Sequence, residues 1–361
     1  MVSLAAWLVQ PTRFAGISRV AARFVLVLLV LLAAYGAAVR PAPVPRAVGN
    51  VAKDRADVLL YEAIVERLRE GGDYYEVATE ELRTRHYPLR PFVTVRMPTL
   101  AVALAKLPGG EGTIRLLLGA LIVAVLAVWA VRLRGVVTGR LPLGIGVLLV
   151  TSGMAVFIRP EFLLWHEVWA GLLMALALGL RTPQHWGLAV IAGLTALLIR
   201  ELALPFIAAM ALLAGTERRW REAVAWGAVI AVFAATLALH ASAVAAHVTA
   251  SDPLSPGWTK VGGWRFVVTI LHLTGPLRLA SQTLSAVLVP LALLGWAAWR
   301  SPTGGRGALA LFAYAGTFML VGRPQNFYWG LLIAPLVPLG LLFAPAALRD
   351  LWRSARPSPA G

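Results

Sequence analysis

The sequence predicts an all-α polytopic membrane fold, with about ten transmembrane helices and an amphipathic juxtamembrane helix in the first outer loop. Three observations predict it. Mean hydropathy over the 361 residues is +0.76, and only 14% of residues are charged, too few to cover a soluble body of that length. Long apolar runs, each near the ~20 residues that cross a bilayer, fill most of the chain. The arginines collect at the ends of those runs, where they act as topology determinants and contacts to anionic lipids. The formal charge of +16 therefore sets up no basic stripe interleaved with aromatics, and nucleic acid is excluded as a partner. Cysteine is absent, which removes disulfides, thiolate metal sites and cysteine nucleophiles.

Taken in order, the expected spans are 20–39, 113–133, 141–158, 161–180, 186–199, 202–214, 222–247, 278–299, 307–321 and 327–347. They form a single transmembrane domain over 1–361, with 40–112 as its first extracytoplasmic loop. The apolar run Phe24–Ala34 follows Arg13, Arg19 and Arg23 and continues to Val39, so it reads as an uncleaved signal anchor. Those arginines put the N-terminus in the cytoplasm. The clusters at Arg132, Arg134 and Arg140, at Arg181, at Arg218, Arg219 and Arg221, at Arg300 and Arg306, and at Arg349, Arg353 and Arg356 each fall where an even number of crossings returns the chain to that side. The expected location is the inner membrane, with both termini cytoplasmic. The stretch 186–214 is basic on both flanks and too long for one crossing, which favours a short hairpin of broken helices with Arg200-Glu201 at its tip. On the outer side this topology gathers loop 40–112, the turn Arg159-Pro160-Glu161, the hairpin tip, segment 248–277 and Arg323-Pro324-Gln325-Asn326.

Loop 40–112 carries ten of the seventeen acidic residues. Within it, Asp54–Glu70 has helical periodicity: Val58, Tyr61, Ile64, Val65 and Leu68 share one sector, with Glu62, Glu66 and Glu70 opposite. Asp57 falls inside the apolar sector, one turn before Tyr61, and Asp54 lies at its edge. A carboxylate there either caps the helix N-terminus or has a partner or a task. Farther on, Tyr87-Pro88-Leu89-Arg90-Pro91-Phe92 and Arg96-Met97-Pro98 suit a segment folding back to the bilayer. Arg90 and Arg96 there either snorkel to lipid phosphates or hold a specific anion. Among the other intramembrane polar residues, Glu161, His166 and Glu167 stand at the outer start of a span beside Trp165 and Trp169. The tryptophans read as interface anchors. His166 and Glu167, adjacent on a helix, point in different directions, so one of them faces a cavity with a partner. Glu201 either joins the site or forms a structural pair with Arg200.

The ordering resembles the GT-C superfamily of polyprenyl-phosphate-sugar-dependent glycosyltransferases, of the protein O-mannosyltransferase and aminoarabinose-transferase type. The likeness rests on Asp57-Val-Leu-Leu-Tyr61, Gly72-Asp73-Tyr74, the Pro-rich stretch Arg90-Pro91 to Pro98, the basic hairpin tip at Arg200, and Arg323 ahead of Tyr328-Trp329 and Pro335. It departs from the family pattern at Val58, where a second acid is common, and at Leu60, where a basic residue is common. A divergent branch is implied; no cofactor is expected, and a divalent metal stays open without support from the sequence at that point.

The resemblance implies transfer of a sugar from a polyprenyl-phosphate-linked donor to a lipid, glycan or protein acceptor outside the membrane. Such chemistry needs a base for the acceptor hydroxyl, cations for the leaving phosphate and a cavity at the interface. Asp57 is the candidate base, since a carboxylate partly withdrawn from water is the stronger base. Arg200 and Arg323 are the first candidates for the phosphate, because guanidinium stays charged and binds two oxygens at once. Arg90 and Arg96 come second, with Tyr61 and Glu201 beside them, and Asp54, Glu161, His166 and Glu167 more distant. Membrane lipids would contact the apolar spans. The alternative expectation is a transporter or flippase for an anionic lipid or glycan, which needs gating residues on both faces.

Overall fold

The computed structural model describes residues 10–38, 51–257 and 260–356, the side chains of 51–55 excepted. Among these residues every named element is helical, and no strand is formed. The helices are α1 (Arg19–Ala38), α2 (Val51–Arg69), α3 (Tyr74–Thr84), α4 (Thr99–Ala105), α5 (Gly110–Arg134), α6 (Arg140–Met154) and α7 (His166–Leu180). They continue with α8 (Gly187–Ile199), α9 (Leu204–Thr216), α10 (Trp220–Ala245), α11 (Gly263–Thr274), α12 (Gln282–Ala298), α13 (Pro302–Leu320) and α14 (Ala344–Ala355).

Three of these, α1, α5 and α10, are long and apolar enough to cross a membrane, and six shorter apolar segments accompany them. Their outward faces carry bare apolar side chains such as Phe24, Leu116, Val123, Leu188 and Leu239. Exposed apolar side chains in this number are compatible with a bilayer as the neighbour.

The chain alternates between two ends of the bundle. His166 begins α7 at one end and Arg181 follows it at the other; α8 returns to Arg200, and α9 leads back to Glu217. The expected hairpin over 186–214 is present, with a 3-10 turn at Glu201–Ala203 between its arms. Those arms splay: α8 packs chiefly on α7, and α9 on α10.

Two segments depart from the expected topology. Segment 248–277, expected as an outer connection, contains the buried helix α11, whose Trp264, Val267, Val268 and Ile270 enter the core. At twelve residues it is too short for a span, so length alone hid it. The last expected span, 327–347, is not one helix. It is two runs of 3-10 turns, Pro324–Leu332 and Val337–Leu342, followed by the amphipathic α14. Pro335 and Pro338 remove backbone donors, and the freed carbonyls need partners inside the bundle. Trp296 Nε1 donates to the Leu336 carbonyl at 2.9 Å. Glycine makes the close approach possible: a Cβ on Gly295 would stand 1.8 Å from the Gly340 carbonyl oxygen.

The end of the bundle away from α2 is closed by ion pairs. Arg181 donates to both carboxylate oxygens of Glu222 at 2.8 Å, and Arg306 to both of Glu217 at 2.8 and 2.7 Å. Arg181 and Arg306 are fully buried. Flanking acids on neighbouring helices compensate their desolvation, which singles them out from the exposed arginines nearby. At the same end, Thr12 N donates to Asp350 at 2.8 Å and Arg13 to the Ser301 carbonyl at 2.6 Å, tying the N-terminal segment to α14 and α13.

Candidate functional site

Helices α2 and α3 are built locally and then clamped to the bundle. Asp73 caps α3 by accepting from the amides of Tyr75 and Glu76 at 2.9 and 3.2 Å, which satisfies donors the helix start leaves open. Gly71 takes the left-handed φ of +96° that turns α2 into α3. Arg83 donates to both oxygens of Asp252 at 2.7 and 2.9 Å. Arg83 and the Thr249 amide together hold the Asp252 carboxyl well below the usual carboxylate range. His240, near the end of α10, meets the Val95 carbonyl at 3.0 Å and the Tyr75 hydroxyl at 3.3 Å.

Between α2 and the bundle lies a cavity of about 400 Å³. Helix α2 contributes Asp57 and Tyr61, and the stretch before α4 contributes Arg96. The hairpin tip brings Arg200 and Glu201, and the start of α7 brings His166. Asn326, Tyr328 and Trp329 come from the irregular segment. Leu60, Ile64, Leu100, Leu104 and Val321 supply apolar wall. Tyr87 lines it too and donates a short hydrogen bond to Asp57 Oδ1. Burial, then the neighbouring Asp57 carboxylate, push the Tyr87 phenol up. Burial likewise pushes the Tyr61 phenol up to about 12. Both phenols therefore stay protonated at neutral pH, Tyr87 donating to Asp57 and the Tyr61 oxygen facing the Arg96 guanidinium.

The charges form a chain of contacts. Arg96 Nε lies 3.5 Å from the Tyr61 hydroxyl, and the Arg96 carbonyl accepts from Tyr74 at 2.6 Å. Its guanidinium stands 3.8 Å from Glu201 and 4.0 Å from Glu167. Arg200 is held more closely, by Glu167 at 2.6 Å and by a short contact to Glu201. Arg200 is thus locked by two carboxylates. Arg96 is only loosely engaged, and is the cation able to turn toward an added anion.

The expected site residues separate into two groups. Asp57, Tyr61, Arg96, His166, Arg200 and Glu201 are brought together at the cavity, and Glu167 stands behind it against Arg200. Arg90 and Arg323 are elsewhere. Arg90 Nε donates to the Asp252 carbonyl at 2.9 Å, beside the Ser255 amide donating to the Arg90 carbonyl at 2.7 Å. Arg323 donates to the Gly257 carbonyl at 2.9 Å. Both hold loop backbone and neither lines the cavity: carbonyls in segment 252–257 take these guanidiniums. Glu161 pairs with Arg159 at 3.0 Å on a separate, wider cavity against the other side of α2. The side chain of Asp54 lies outside the described residues.

Tyr87, Asn326, Tyr74 and Trp329 are site residues that sequence reasoning passed over. The signal for Asn326 was its place in a polar outer turn followed by aromatics. Tyr74 and Trp329 stood in stretches that carry the family resemblance without being assigned a role, and Tyr87 carried no signal beyond lying in the same loop. No family model, curated protein or solved structure matches the chain.

Proposed function

We propose that the chain is a membrane glycosyltransferase that moves a sugar from a polyprenyl-phosphate donor to a lipid, glycan or protein acceptor on the outer face of the inner membrane. The observation that carries this reading is the convergence of Asp57, Arg96 and Arg200, from three separate elements, on one cavity with an apolar wall. Asp57 takes the proton of the acceptor hydroxyl, and that oxygen attacks the anomeric carbon. The carbon–oxygen bond to phosphate breaks, and the polyprenyl phosphate leaves with the electron pair, met by Arg96 and then Arg200. Tyr87 orients the Asp57 carboxylate through a short hydrogen bond. Leu60, Leu100 and Leu104 accommodate the start of the polyprenyl chain. A single displacement of this kind inverts the anomeric centre.

Orientation follows the arginine clusters: the α2 side faces outward, and both termini and the Arg181–Glu222 and Arg306–Glu217 pairs face the cytoplasm. The buried pairs at that inner end support an enzyme with one open face over a carrier that opens to both. The test is transfer of radiolabelled sugar from polyprenyl phosphate in proteoliposomes, with a cell-envelope extract as acceptor. Arg96→Ala is expected to lower turnover by about 10²–10³-fold, the usual effect of removing a charge-stabilising donor. Arg323→Ala, which alters only a loop contact, is expected to leave kcat within about threefold of wild type. Equal kcat in wild type and Arg96→Ala would overturn the assignment.

A further inference from the structure

Four polar atoms in the floor of the same cavity have no hydrogen-bond partner among the described residues. They are both ring nitrogens of His166, Oδ1 of Asn326 and Nε1 of Trp329. All three side chains line the cavity and are more than nine-tenths buried. Buried polar atoms in a folded protein are nearly always paired, so three orphaned side chains facing one space mark a place where a ligand supplies the partners. We infer that this floor is a recognition site for a neutral, multiply hydroxylated ring, held by His166, Asn326 and Trp329. The inference deepens the glycosyl-transfer reading by naming the class of sugar, and rests on it only for the position of the donor phosphate.

The donor and acceptor pattern favours hydroxyls. Neutral His166 offers one N–H and one acceptor nitrogen, Trp329 an N–H only. The Asn326 amide donates to the Tyr328 hydroxyl at 3.4 Å, which leaves its carbonyl as an acceptor. A hydroxyl group both gives and receives, and several on one ring satisfy such a mixture. The Tyr61 ring stands 5.1 Å from that of His166, and Tyr328 and Trp329 add further aromatic surface for the ring's C–H faces. Charged sugars fit less well. A cationic amino substituent needs a carboxylate, and Glu167 and Glu201 are both held by Arg200, while Asp57 is engaged by Tyr87. A ring carboxylate would compete with the phosphate for Arg96. Either would leave a charge in the cavity without its own partner.

The test uses the purified full chain in lipid nanodiscs and equilibrium binding of five probes. They are inorganic phosphate, a free neutral hexose, the hexose 1-phosphate, a 2-amino-2-deoxyhexose 1-phosphate and a hexuronic acid 1-phosphate. The hexose 1-phosphate is expected to bind at least tenfold more tightly than inorganic phosphate and than either charged sugar. Asn326→Leu and Trp329→Phe are each expected to reduce its affinity about tenfold while leaving inorganic phosphate binding unchanged. Trp329→Phe keeps an aromatic ring while removing the N–H with the pyrrole part of the indole, so it serves if the other variant does not fold. Equal affinity for all three sugar phosphates would overturn the inference, as would tightest binding of the amino sugar, or folded variants with wild-type affinity. If inorganic phosphate does not bind but the free hexose binds in an Asn326-dependent way, the ring site stands and the phosphate placement falls.

Discussion

At position 57 a carboxylate meets the phenol of Tyr87, thirty residues along the chain. Helical periodicity was enough to place Asp57 on the inward face of α2, because a 100° repeat fixes which residues share a side. It could not supply Tyr87, which reaches Asp57 only after the chain turns through α3. The arginines teach the same lesson. Arg90, Arg96, Arg200 and Arg323 are equivalent as sequence, being basic residues in outer turns. What separates them is competition for partners: open backbone carbonyls take Arg90 and Arg323, carboxylates lock Arg200, and Arg96 alone is loosely held. The contrast between Arg96→Ala and Arg323→Ala in turnover belongs to this scale, as do the Asn326→Leu and Trp329→Phe effects on hexose 1-phosphate binding.

Elements are held in place by contacts that periodicity does not encode. Helices α2 and α3 are tied to segment 247–257 by the Arg83–Asp252 pair. Because the folded carboxyl of Asp252 titrates below its unfolded value, the pair's contribution is fully present above about pH 4, the unfolded aspartate range, and is lost as pH falls through the lower folded value. Limited proteolysis of segment 247–257 is therefore expected to be flat from pH 7 to 5 and to accelerate below about pH 4. Asp252→Asn, which lacks the pair at every pH, is expected to be cleaved faster throughout the range; a wild-type-like profile in that variant would show that the clamp does not hold the loop. Helices α8 and α9 were legible from their flanking basic residues and short apolar runs. The unwound stretch 324–342 was not, since its apolar composition resembles a span and only its glycine and proline spacing hinted otherwise. Gly295→Ala is expected to destabilise the protein strongly, by about 3 kcal/mol or more, the upper range for overpacking. Gly227→Ala on α10, where an added Cβ meets nothing within 4 Å, is the control. Thermal unfolding in detergent separates them, and equal Tm values would mean that the α12 contact with the unwound stretch is not tight.

For the whole molecule, membrane character was the most legible property, since hydropathy is a sum over the chain and needs no tertiary detail. The count of crossings was less so. Helices such as α8 and α9, at thirteen residues each, rise only about 20 Å, short of the ~30 Å hydrocarbon thickness, and need flanking turns to complete a passage. Sidedness can be measured because the chain has no cysteine. A single cysteine at the exposed Glu80 is expected to react with an impermeant maleimide on intact cells, and one at the exposed Arg221 only after permeabilisation. The reverse pattern would invert the topology. The central claim, that a one-faced cavity in this bundle carries out glycosyl transfer with Asp57 as base, is tested most directly by single-turnover sugar transfer from saturating polyprenyl-phosphate donor, comparing wild type with Asp57→Asn. The account predicts a loss of about 10²–10⁴-fold in the transfer rate for the asparagine variant, the range for removing a general base, with donor affinity retained. A rate equal to that of wild type would contradict it.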